Sequence, residues 1–448
     1  MGFLLQGFGR PKRARAGLGG ALALLVATLA LGGCVSTGQG QFGGRPSFTR
    51  PGAPVSILGQ AAGQPVLGGF GNAAPSGSRV ALLAPLTGPN AERGTALVQA
   101  TKLALDAPGA PILDVLDTQG TPDGAANAAR TALANGASLI LGPLTAPETA
   151  AASAVATPAG VGMLAFTSDV AQQRPGVWVL GLTPQQQVRR LVVASMAQGK
   201  SRFAALLPAN DYGRAMADAL TQAALSANAG SPDVRTVDGG SMSSANAAVR
   251  DLSGYAGRRG PLDAQIKAAR ALATPEGRRT AAEIGKRPIP PPAFDALLLA
   301  ATGDQLNQIT SLLPYYDVDR PAVRVLGPAL WANPAARGGA DLTGAWYAAP
   351  DPAARSAFDQ QYTAKFGQPA PGLADLAYDA AAIARVVGGS GGYSPASLAR
   401  PEGFAGVNGV LGLQPDGSVR RGLAVFEVQR GGAQMIEPAP ETLGAPGS

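Results

Sequence analysis

Apolar segments of strand length alternate with amphipathic segments of helical length along most of the chain, and this alternation limits the possible folds more than any other feature. The first apolar segment is Arg79–Leu86, a helical pattern covers Ala91–Asp106, and the second apolar segment is Ile112–Asp117. The alternation continues to about Gly181 and starts again at Thr183. Strands at this spacing, with a helix between successive strands, form βαβ units in a parallel sheet. We therefore predict an α/β fold with parallel sheets.

The N-terminus has the pattern of an export signal. Four basic residues lie within Arg10–Arg15, and an apolar run of 14 residues, Leu18–Leu31, follows. This run is shorter than the ~20 residues that span a bilayer as a helix, and its basic start is typical of a secretory signal. The segment Leu31–Cys34 (Leu-Gly-Gly-Cys) resembles a bacterial lipobox, and Cys34 is the only cysteine in 448 residues. We predict a lipoprotein signal peptide over residues 1–33 and a lipid on Cys34. The alternative is an ordinary signal peptide with an incidental cysteine.

The segments that flank the predicted folded region are polar and irregular. Residues 34–78 are rich in Gly, Pro, Gln and Ser and predict a disordered tether with a reach of roughly 35–40 Å. Residues 437–448 predict a polar tail. The 415 residues that remain without the signal exceed the ~250–300 at which a single core stops growing, so two lobes are expected.

Composition excludes several classes of function. The chain has no histidine, which excludes Ser-His and Cys-His nucleophile pairs and histidine metal ligands. Its one cysteine is the predicted lipid site, so no thiolate nucleophile remains. Four of the seven net positive charges lie in the predicted signal, and the remaining +3 is too small and scattered for a nucleic-acid surface. We predict a protein that is not an enzyme and that has no cofactor, no metal site and no nucleic-acid partner.

Several motifs resemble those of type I periplasmic binding proteins, the leucine-binding-like group. They are Ala81–Gly94 (ALLAPLTGPNAERG), Ile140–Thr145 (ILGPLT), Phe203–Tyr212 (FAALLPANDY) and Leu376–Asp379 (LAYD), and the resemblance extends from about Arg79 to Ile436. It implies two Rossmann-like lobes with parallel sheets, joined by three crossovers around a ligand cleft.

The resemblance also implies lobe boundaries. The N-terminal lobe takes residues 79–182 plus 328–408, and the C-terminal lobe takes 183–327 plus 409–436. The expected hinge residues are Leu182, Thr183, Gly327, Pro328, Asn408 and Gly409. Residues 256–292 predict a basic helical insertion. Its eight basic residues could face an acidic partner, lipid headgroups or wall polymers, but a solvated helical face is the favoured interpretation.

Within this superfamily the chain is more similar to the penicillin-binding protein activators. The motifs are Leu116–Thr118 (LDT), Gly181–Gln187 (GLTPQQQ), Leu312–Asp319 (LLPYYDVD) and Ala345–Asp351 (AWYAAPD). This resemblance implies an envelope lipoprotein that regulates peptidoglycan synthesis by contacting a penicillin-binding synthase. Enterobacterial members carry a helical repeat domain where only the tether is expected here.

Two other roles stay open. The first is a substrate-binding protein of an ABC transporter, which would bind an amino acid of the branched-chain type or a similar small solute and deliver it to a permease. The second is a wall-spanning scaffold with a vestigial cleft. The location expected for each is the periplasm, with a lipid anchor. Val35 after the cysteine, with no aspartate there, resembles the sorting pattern for the outer membrane.

Amino-acid-binding relatives hold the ligand carboxylate with hydroxyls and amides after the third strand, and its ammonium with an acidic residue of the other lobe. The loop after Gly327 offers no carboxylate for this second task, and an ammonium without a countercharge is costly to desolvate. Asp211 could still serve as the acidic partner. Helix caps and turns are the alternative roles for the hydroxyl residues. The candidate cleft residues are Thr87, Thr145, Thr167, Ser168, Asp211, Tyr212 and Trp331.

Overall fold

The computed structural model describes residues 52–58, 78–239 and 241–444. The chain divides into Met1–Thr49 and Arg50–Ser448, and all described residues belong to the second unit. The predicted signal peptide, the lipid site at Cys34 and most of the predicted tether lie outside the described residues. No helix in the described ranges is long and apolar enough to cross a membrane.

The first lobe begins with a short strand and continues as strands alternating with helices. The elements in chain order are β1 (Val55–Ser56), β2 (Arg79–Ala84), α1 (Ala91–Ala104), β3 (Ile112–Asp117), α2 (Pro122–Ala134), β4 (Leu139–Leu141), α3 (Ala146–Ala156), β5 (Gly162–Ala165) and β6 (Val177–Val179). Strands β2 to β6 form a five-stranded sheet in the order β3-β2-β4-β5-β6, and every pair in it is parallel.

The second lobe repeats the alternation around a second sheet. Its elements are α4 (Pro184–Ala197), β7 (Phe203–Pro208), α5 (Asp211–Ser226), β8 (Asp233–Val237), α6 (Met242–Leu252), α7 (Tyr255–Ala271), α8 (Pro275–Gly285), β9 (Ala296–Leu299), α9 (Gly303–Leu312), β10 (Arg324–Gly327) and β11 (Trp346–Ala349). Helices α7 and α8 form the predicted basic insertion and pack on each other through a small apolar cluster of their own.

The remaining elements contribute to both lobes. They are α10 (Pro352–Phe366), α11 (Ala374–Gly388), α12 (Pro395–Leu398), β12 (Phe404–Gly406), β13 (Gly409–Leu413), β14 (Val419–Arg421), β15 (Ala424–Gln429) and β16 (Gly432–Glu437). A small sheet has the order β1-β12-β13-β14, and the second lobe's seven-stranded sheet has the order β16-β15-β11-β10-β9-β7-β8.

Each main sheet lies between two layers of helices because alternate residues of a strand point to opposite faces. In β2, Val80 and Leu82 pack with α1 and α11, whereas Ala81 and Leu83 pack with α2 and α3. The alanine-rich faces of these helices let them lie close to the sheet. In the second lobe, α4 and α5 cover one face and α6 and α9 cover the other. The predicted α/β fold class with parallel sheets is therefore confirmed.

Two of the three predicted crossovers differ in the structure. The chain leaves the first sheet through Leu182 and Thr183, where a crossover is expected. The second passage follows Ala349, and not Gly327-Pro328, because β11 pairs with β10 and with β15 inside the second sheet. The third passage lies between β14 and β15, and not at residues 408–409, because β12, β13 and β14 form one small sheet packed on the first lobe.

The predicted tether and tail are partly folded. Strand β1 pairs with β12, and Ile57 after it is fully buried in the core of the first lobe. Beyond β16, the Pro438 carbonyl accepts a hydrogen bond from Arg190, and Leu443 is buried. The few apolar residues around β1 are enough for this packing, because the edge of β12 is available for pairing.

Candidate functional site

A cavity of about 530 Å³ opens at the carboxyl ends of strands β4, β5 and β6. In parallel α/β sheets, ligands bind in the crevice beyond these strand ends. The residues around it come from two parts of the chain that are far apart in sequence, residues 93–182 and residues 350–421. They are Arg93, Leu144, Thr145, Phe166, Thr167, Ser168, Gly181, Leu182, Pro350, Arg355, Leu373, Asp375, Leu376, Asn408 and Arg421.

The cavity lies beside all three passages between the lobes. Leu182 is in the first passage, Pro350 is in the second, and Arg421 is the last residue of β14 before the third. Gly181 is required beside the first passage, because a Cβ there would lie 2.4 Å from the Thr167 carbonyl oxygen. Every residue of the wall belongs to the first lobe or to a passage.

Arg421 is the most unusual residue of the cavity wall. Its side chain is 3% exposed, and its Nη2 donates a hydrogen bond to the Leu180 carbonyl oxygen at 2.9 Å. Its Nε and Nη1 have no acceptor among the described residues. Burial lowers the pKa of this guanidinium, and the nearby Asp379 and Asp375 oppose the change. A buried cation with unused donors is costly unless an anion or water compensates it.

Asp375 is held by two partners on other elements. Its Oδ2 accepts hydrogen bonds from the Asn408 amide and lies 3.2 Å from Nη1 of Arg355. The Nε of Arg355 also donates to Asp359 at 3.1 Å. The charges of Arg355 and Asp375 therefore largely cancel within the wall of the cavity.

Asp379 lies one helical turn beyond Asp375 on α11 and is 1% exposed. Its Oδ1 accepts the Val407 N–H at 2.8 Å, and its Oδ2 has no partner among the described residues. Burial raises the pKa of this carboxyl to about 7, although the Val407 hydrogen bond and the charge of Arg421 act in the opposite direction. Desolvation of the charged form explains the direction of this shift.

Three of the predicted cleft residues line the cavity, and they differ in burial and in hydrogen bonding. The Thr145 hydroxyl caps α3: it donates to Glu148 Oε2 at 2.6 Å and accepts the Glu148 N–H, so it is fully used. Thr167 is buried, and its hydroxyl accepts the Asp169 N–H at 3.1 Å. Ser168 is exposed. The cavity therefore contains Thr167 and Ser168 as hydroxyl donors, whereas Thr145 is a helix cap.

Two predicted residues near strand ends lie outside the cavity. The Thr87 hydroxyl donates to Asp117 Oδ2 at 2.7 Å. Burial alone would raise the pKa of Asp117, but hydrogen bonds from Thr87, Gln119 and Leu86 hold it below its usual value. Asp211 is exposed at the start of α5 and pairs with Arg214. Neither residue borders the cavity as the prediction placed it.

Of two predicted aromatic residues, Trp331 belongs to the core of the second lobe and Tyr212 packs against that core. Trp331 is fully buried, and its indole N–H donates to the Ala301 carbonyl oxygen at 3.0 Å. A Cβ at Gly327 would lie 2.1 Å from this ring. The Gly327-Pro328 segment therefore leaves room for the Trp331 side chain. Tyr212 packs against the cluster under α4 and α5, and burial raises the pKa of its hydroxyl to about 12.

The sequence motif GLTPQQQ joins the first passage to the third and to the segment after β10. Thr183 caps α4, and Gln186 completes the capping box. The Gln186 side-chain amide donates to the Val419 carbonyl oxygen at 2.6 Å, beside the third passage. The Gln187 Oε1 accepts the Ala329 N–H at 2.7 Å. The sequence could have indicated these contacts, because polar residues occupy the buried face of the predicted helix.

Two arginines of the basic insertion form hydrogen bonds or ion pairs within the second lobe. Arg258 donates to the carbonyl oxygens of Ser253, Pro290 and Tyr316, which fastens α7 to the second lobe. Arg259 pairs with Asp263 one turn later on the same helix. These contacts agree with a solvated helical surface.

A second cavity, of about 590 Å³, lies at the opposite edge of the first sheet, near the amino ends of β5 and β6. Its wall is mainly apolar and includes Val161, Pro175, Trp178 and Leu398. It shares no residue with the first cavity. Within the described ranges, no group of three or more acidic, cysteine or histidine residues could hold a metal ion.

Comparisons with known proteins agree with this architecture. Residues 78–252 match the model of a family described as periplasmic binding protein. A structure from Rhodospirillum rubrum, named as a branched-chain amino acid ABC transporter, aligns with a TM-score of 0.61 and 19% identity, over 80% of this chain and 100% of that one. No curated protein matches the sequence.

Structures of a different functional class align almost as well. The C-domain of LpoA (YraM) from Haemophilus influenzae, a regulator of PBP1A, aligns with a TM-score of 0.56 and 16% identity, over 80% of this chain and 100% of that one. Full-length LpoA from the same organism has a TM-score of 0.55 and 16% identity, and this chain covers 59% of it. These identities show a shared fold, consistent with the type I periplasmic binding protein fold.

Proposed function

We propose that this protein is a non-enzymatic protein of the cell envelope that regulates peptidoglycan synthesis by contacting a penicillin-binding synthase. The main support is the absence of an amino-acid site from the cavity. The hydroxyl of Thr145 is used by Glu148. Among the described residues, the only acidic one in the wall is Asp375, which is already paired with Arg355. An amino acid's ammonium group would have no free countercharge there.

The fold supports the same proposal. The LpoA C-domain, a regulator of PBP1A, is covered over its full length by this chain. This chain covers 59% of full-length LpoA. A lipid on Cys34 would hold the folded unit near a membrane through the residues that precede β1, because the pairing of β1 with β12 shortens the predicted tether.

A reconstituted synthase assay tests this role. The mature chain, purified from Val35 onward, is added to each bifunctional penicillin-binding synthase of its own cell, and glycan polymerisation, peptide crosslinking and binding are measured. We expect one synthase to bind and to change rate at a stoichiometric concentration. An unrelated envelope protein at the same concentration is the control. The proposal is wrong if no synthase binds and none changes rate.

The second candidate is a substrate-binding protein of an ABC importer. It is favoured by one observation, the cavity of about 530 Å³ at the carboxyl strand ends, which lies within the usual range for small-molecule sites. A thermal-shift screen of solutes separates the two roles. A transported solute at 100 times its dissociation constant would add about 2.7 kcal/mol to the free energy of unfolding.

A further inference from the structure

The hairpin formed by α7 and α8, residues 255–287, carries a local excess of positive charge. Eight basic and three acidic residues give it a net charge of +5, whereas the mature chain as a whole carries +3, so the rest of that chain is slightly acidic. Arg258 and Arg259 are engaged in the hydrogen bonds and the ion pair described above. Within the described part of the chain, the six other cations of the hairpin are exposed and have no ion-pair partner: Lys267, Arg270, Arg278, Arg279, Lys286 and Arg287.

The exposed cations are concentrated on one side of the hairpin. The two helices pack on each other through an apolar cluster: Leu262, Ile266, Ala269, Ala281 and Ile284. By the periodicity of an α-helix, Lys267 and Arg270 on α7 and Arg278 on α8 are rotated away from this cluster in the same sense. Because the two helices are antiparallel, the same sense of rotation places all three cations on one side. The acidic residues of α8, Glu276 and Glu283, are rotated in the opposite sense and lie on the other side.

An apolar side chain lies at the tip of the hairpin. Arg258 fastens the start of α7 to the second lobe, and the 17 residues of α7 extend ~25 Å from there at about 1.5 Å per residue. The turn between the two helices therefore lies well away from this attachment. Leu272 in the turn is 66% exposed. An exposed apolar residue beside cations is the combination by which interfacial helices bind anionic membranes.

A bilayer surface suits this arrangement better than a folded acidic partner does. The cations are spread along both helices, from Lys267 in α7 to Lys286 at the end of α8, so they match a negative charge that is continuous over an area. Anionic lipids supply such a charge, and each Lys or Arg close to their surface raises the affinity about fivefold. A soluble polyanion would also attract the cations, but it would offer no apolar layer for Leu272.

A bilayer is also expected within reach of the hairpin's lobe. Between Cys34 and Gly52, the first described residue, lie 17 residues. A segment of this length spans at most about 60 Å even when fully extended. The predicted lipid on Cys34 would therefore keep the folded unit within that distance of the membrane.

We propose that the basic side of the α7–α8 hairpin binds the surface of a bilayer rich in anionic phospholipids, with Leu272 entering the headgroup region. The lipid phosphates face Lys267, Arg270 and Arg278, and the burial of Leu272 holds the tip in place. The inference goes beyond the proposed regulatory role, since contact with a synthase requires no contact between this hairpin and lipid.

Vesicle sedimentation tests the partner. The mature chain from Val35 onward, which lacks the lipid, is mixed with vesicles of phosphatidylcholine alone or of equimolar phosphatidylcholine and phosphatidylglycerol. We expect at least tenfold tighter binding to the mixed vesicles at low ionic strength, and loss of most of this binding at high salt, because exposed charges are screened. Equal binding to the two kinds of vesicle, or no binding to either, would overturn the proposal.

Other polyanions are included in the same experiment. Purified peptidoglycan represents the wall polymers, and soluble polyglutamate represents an acidic protein segment. We expect both to bind the chain more weakly than the mixed vesicles do, because neither provides an apolar layer for the tip. Tighter binding to either polyanion than to the mixed vesicles would show that the hairpin serves a different partner.

Two matched double variants test the basic side. Lys267 and Arg270 lie on α7, and Lys102 and Arg130 lie on helices of the first lobe; all four are exposed and have no ion-pair partner among the described residues. We expect Lys267→Gln/Arg270→Gln to weaken binding to the mixed vesicles about 30-fold, the effect of two cations close to an anionic surface. Lys102→Gln/Arg130→Gln removes the same charge and should weaken binding less than about twofold. Equal losses would contradict the assignment.

A pair of exposed leucines tests the tip. Leu272 is 66% exposed in the turn, and Leu225 is 60% exposed on α5. We expect Leu272→Ser to weaken binding to the mixed vesicles about three- to tenfold, from lost apolar burial in the headgroup region, and to keep its salt dependence. Leu225→Ser should leave binding unchanged, and equal effects of the two variants would overturn the insertion of Leu272. All the replaced side chains are exposed, so each variant should unfold at the wild-type temperature, which a thermal melt checks.

Discussion

At the scale of single residues, the buried carboxyl group of Asp379 makes the stability of the fold depend on pH. Arg421 on β14, Arg355 on α10 and Asp375 on α11 are the charged groups that act on it, and Val407 donates the one hydrogen bond that it accepts within the described part of the chain. Its pKa of about 7 in the folded chain exceeds the ordinary value of about 3.9 in an unfolded chain. Between these two values, the folded state holds a proton that the unfolded state has lost.

The sign of the pH dependence follows from that difference. The contribution of Asp379 to stability is fully present below about pH 4 and is lost as the pH rises toward 7. We expect the free energy of unfolding to fall over this range by up to about 1.4 kcal/mol per pH unit from this group. The Asp379→Asn variant should lack this part of the slope, as measured by urea unfolding at a series of pH values.

The control for that measurement is Asp218→Asn, an exposed replacement of the same chemistry on α5. It should follow the wild-type slope. Parallel curves for the wild type and Asp379→Asn would show that the buried carboxyl does not titrate in this range.

At the scale of elements, α3 depends on a capping box that could be mistaken for a ligand site. Thr145 and Glu148 exchange hydrogen bonds at its first turn, and Glu148 is fully buried. The spacing Thr-x-x-Glu before an apolar helix is a known start signal. The same hydroxyl in an amino-acid-binding relative is expected to hold a carboxylate, so position along the chain does not distinguish the two roles.

Removal of this cap should cost stability. We expect Thr145→Ala to lower the free energy of unfolding by about 0.5–2 kcal/mol, and Thr145→Ser to retain most of it, in urea or thermal unfolding. Ser168→Ala, which removes an exposed hydroxyl from the same cavity, should change stability by less than about 0.5 kcal/mol. If Thr145→Ala is as stable as the wild type, its hydroxyl is not the cap that the geometry indicates.

At the scale of the whole molecule, the first and third passages between the lobes are fastened to each other. Gln186 at the first passage donates to Val419 beside the third. Arg190, 5% exposed on the same helix, donates to the Leu423 carbonyl oxygen at 2.7 Å and pairs with Glu437 at 3.0 Å. Helix α4 therefore carries the contacts that set the position of the C-terminal strands.

Neighbouring glutamines provide a test of this connection. We expect Gln186→Ala to lower the free energy of unfolding by about 1–3 kcal/mol, because it leaves the Val419 carbonyl oxygen without a donor and the Thr183 N–H without its acceptor in the capping box. Gln185→Ala is the control, since its buried Oε1 has no partner among the described residues and its loss should be nearly neutral. Equal losses in urea unfolding would mean that the Val419 hydrogen bond adds no stability.

Much of the fold can be predicted from local patterns. Strand β2 was expected at Arg79–Leu86 and spans Arg79–Ala84, and the helix expected at Ala91–Asp106 spans Ala91–Ala104. These elements are predictable because their periodicity is a property of adjacent residues. Strand β11 could not be assigned to its lobe in this way, because its lobe depends on its pairing with β10 and β15, and local sequence patterns do not specify which strands pair.

The candidate site was predictable only in part. Thr167 and Ser168 follow a strand end, which placed them at the cavity edge from the sequence alone. Trp331 was misplaced because an aromatic residue in a loop gives no sign of whether the loop folds over a core or a cleft. Arg421 was missed because nothing local to β14 distinguishes a buried arginine from an exposed one.

By itself the sequence determined the alternation of strands and helices, the absence of histidine chemistry and the predicted export signal, all of which are local or compositional properties. The tertiary structure alone decided that Arg93, Arg355, Asp375 and Arg421 meet in one cavity. It also decided that Thr145 is a cap and Trp331 is core. These outcomes depend on which strands pair and where the chain passes between sheets, and such choices are made by packing between segments far apart in sequence.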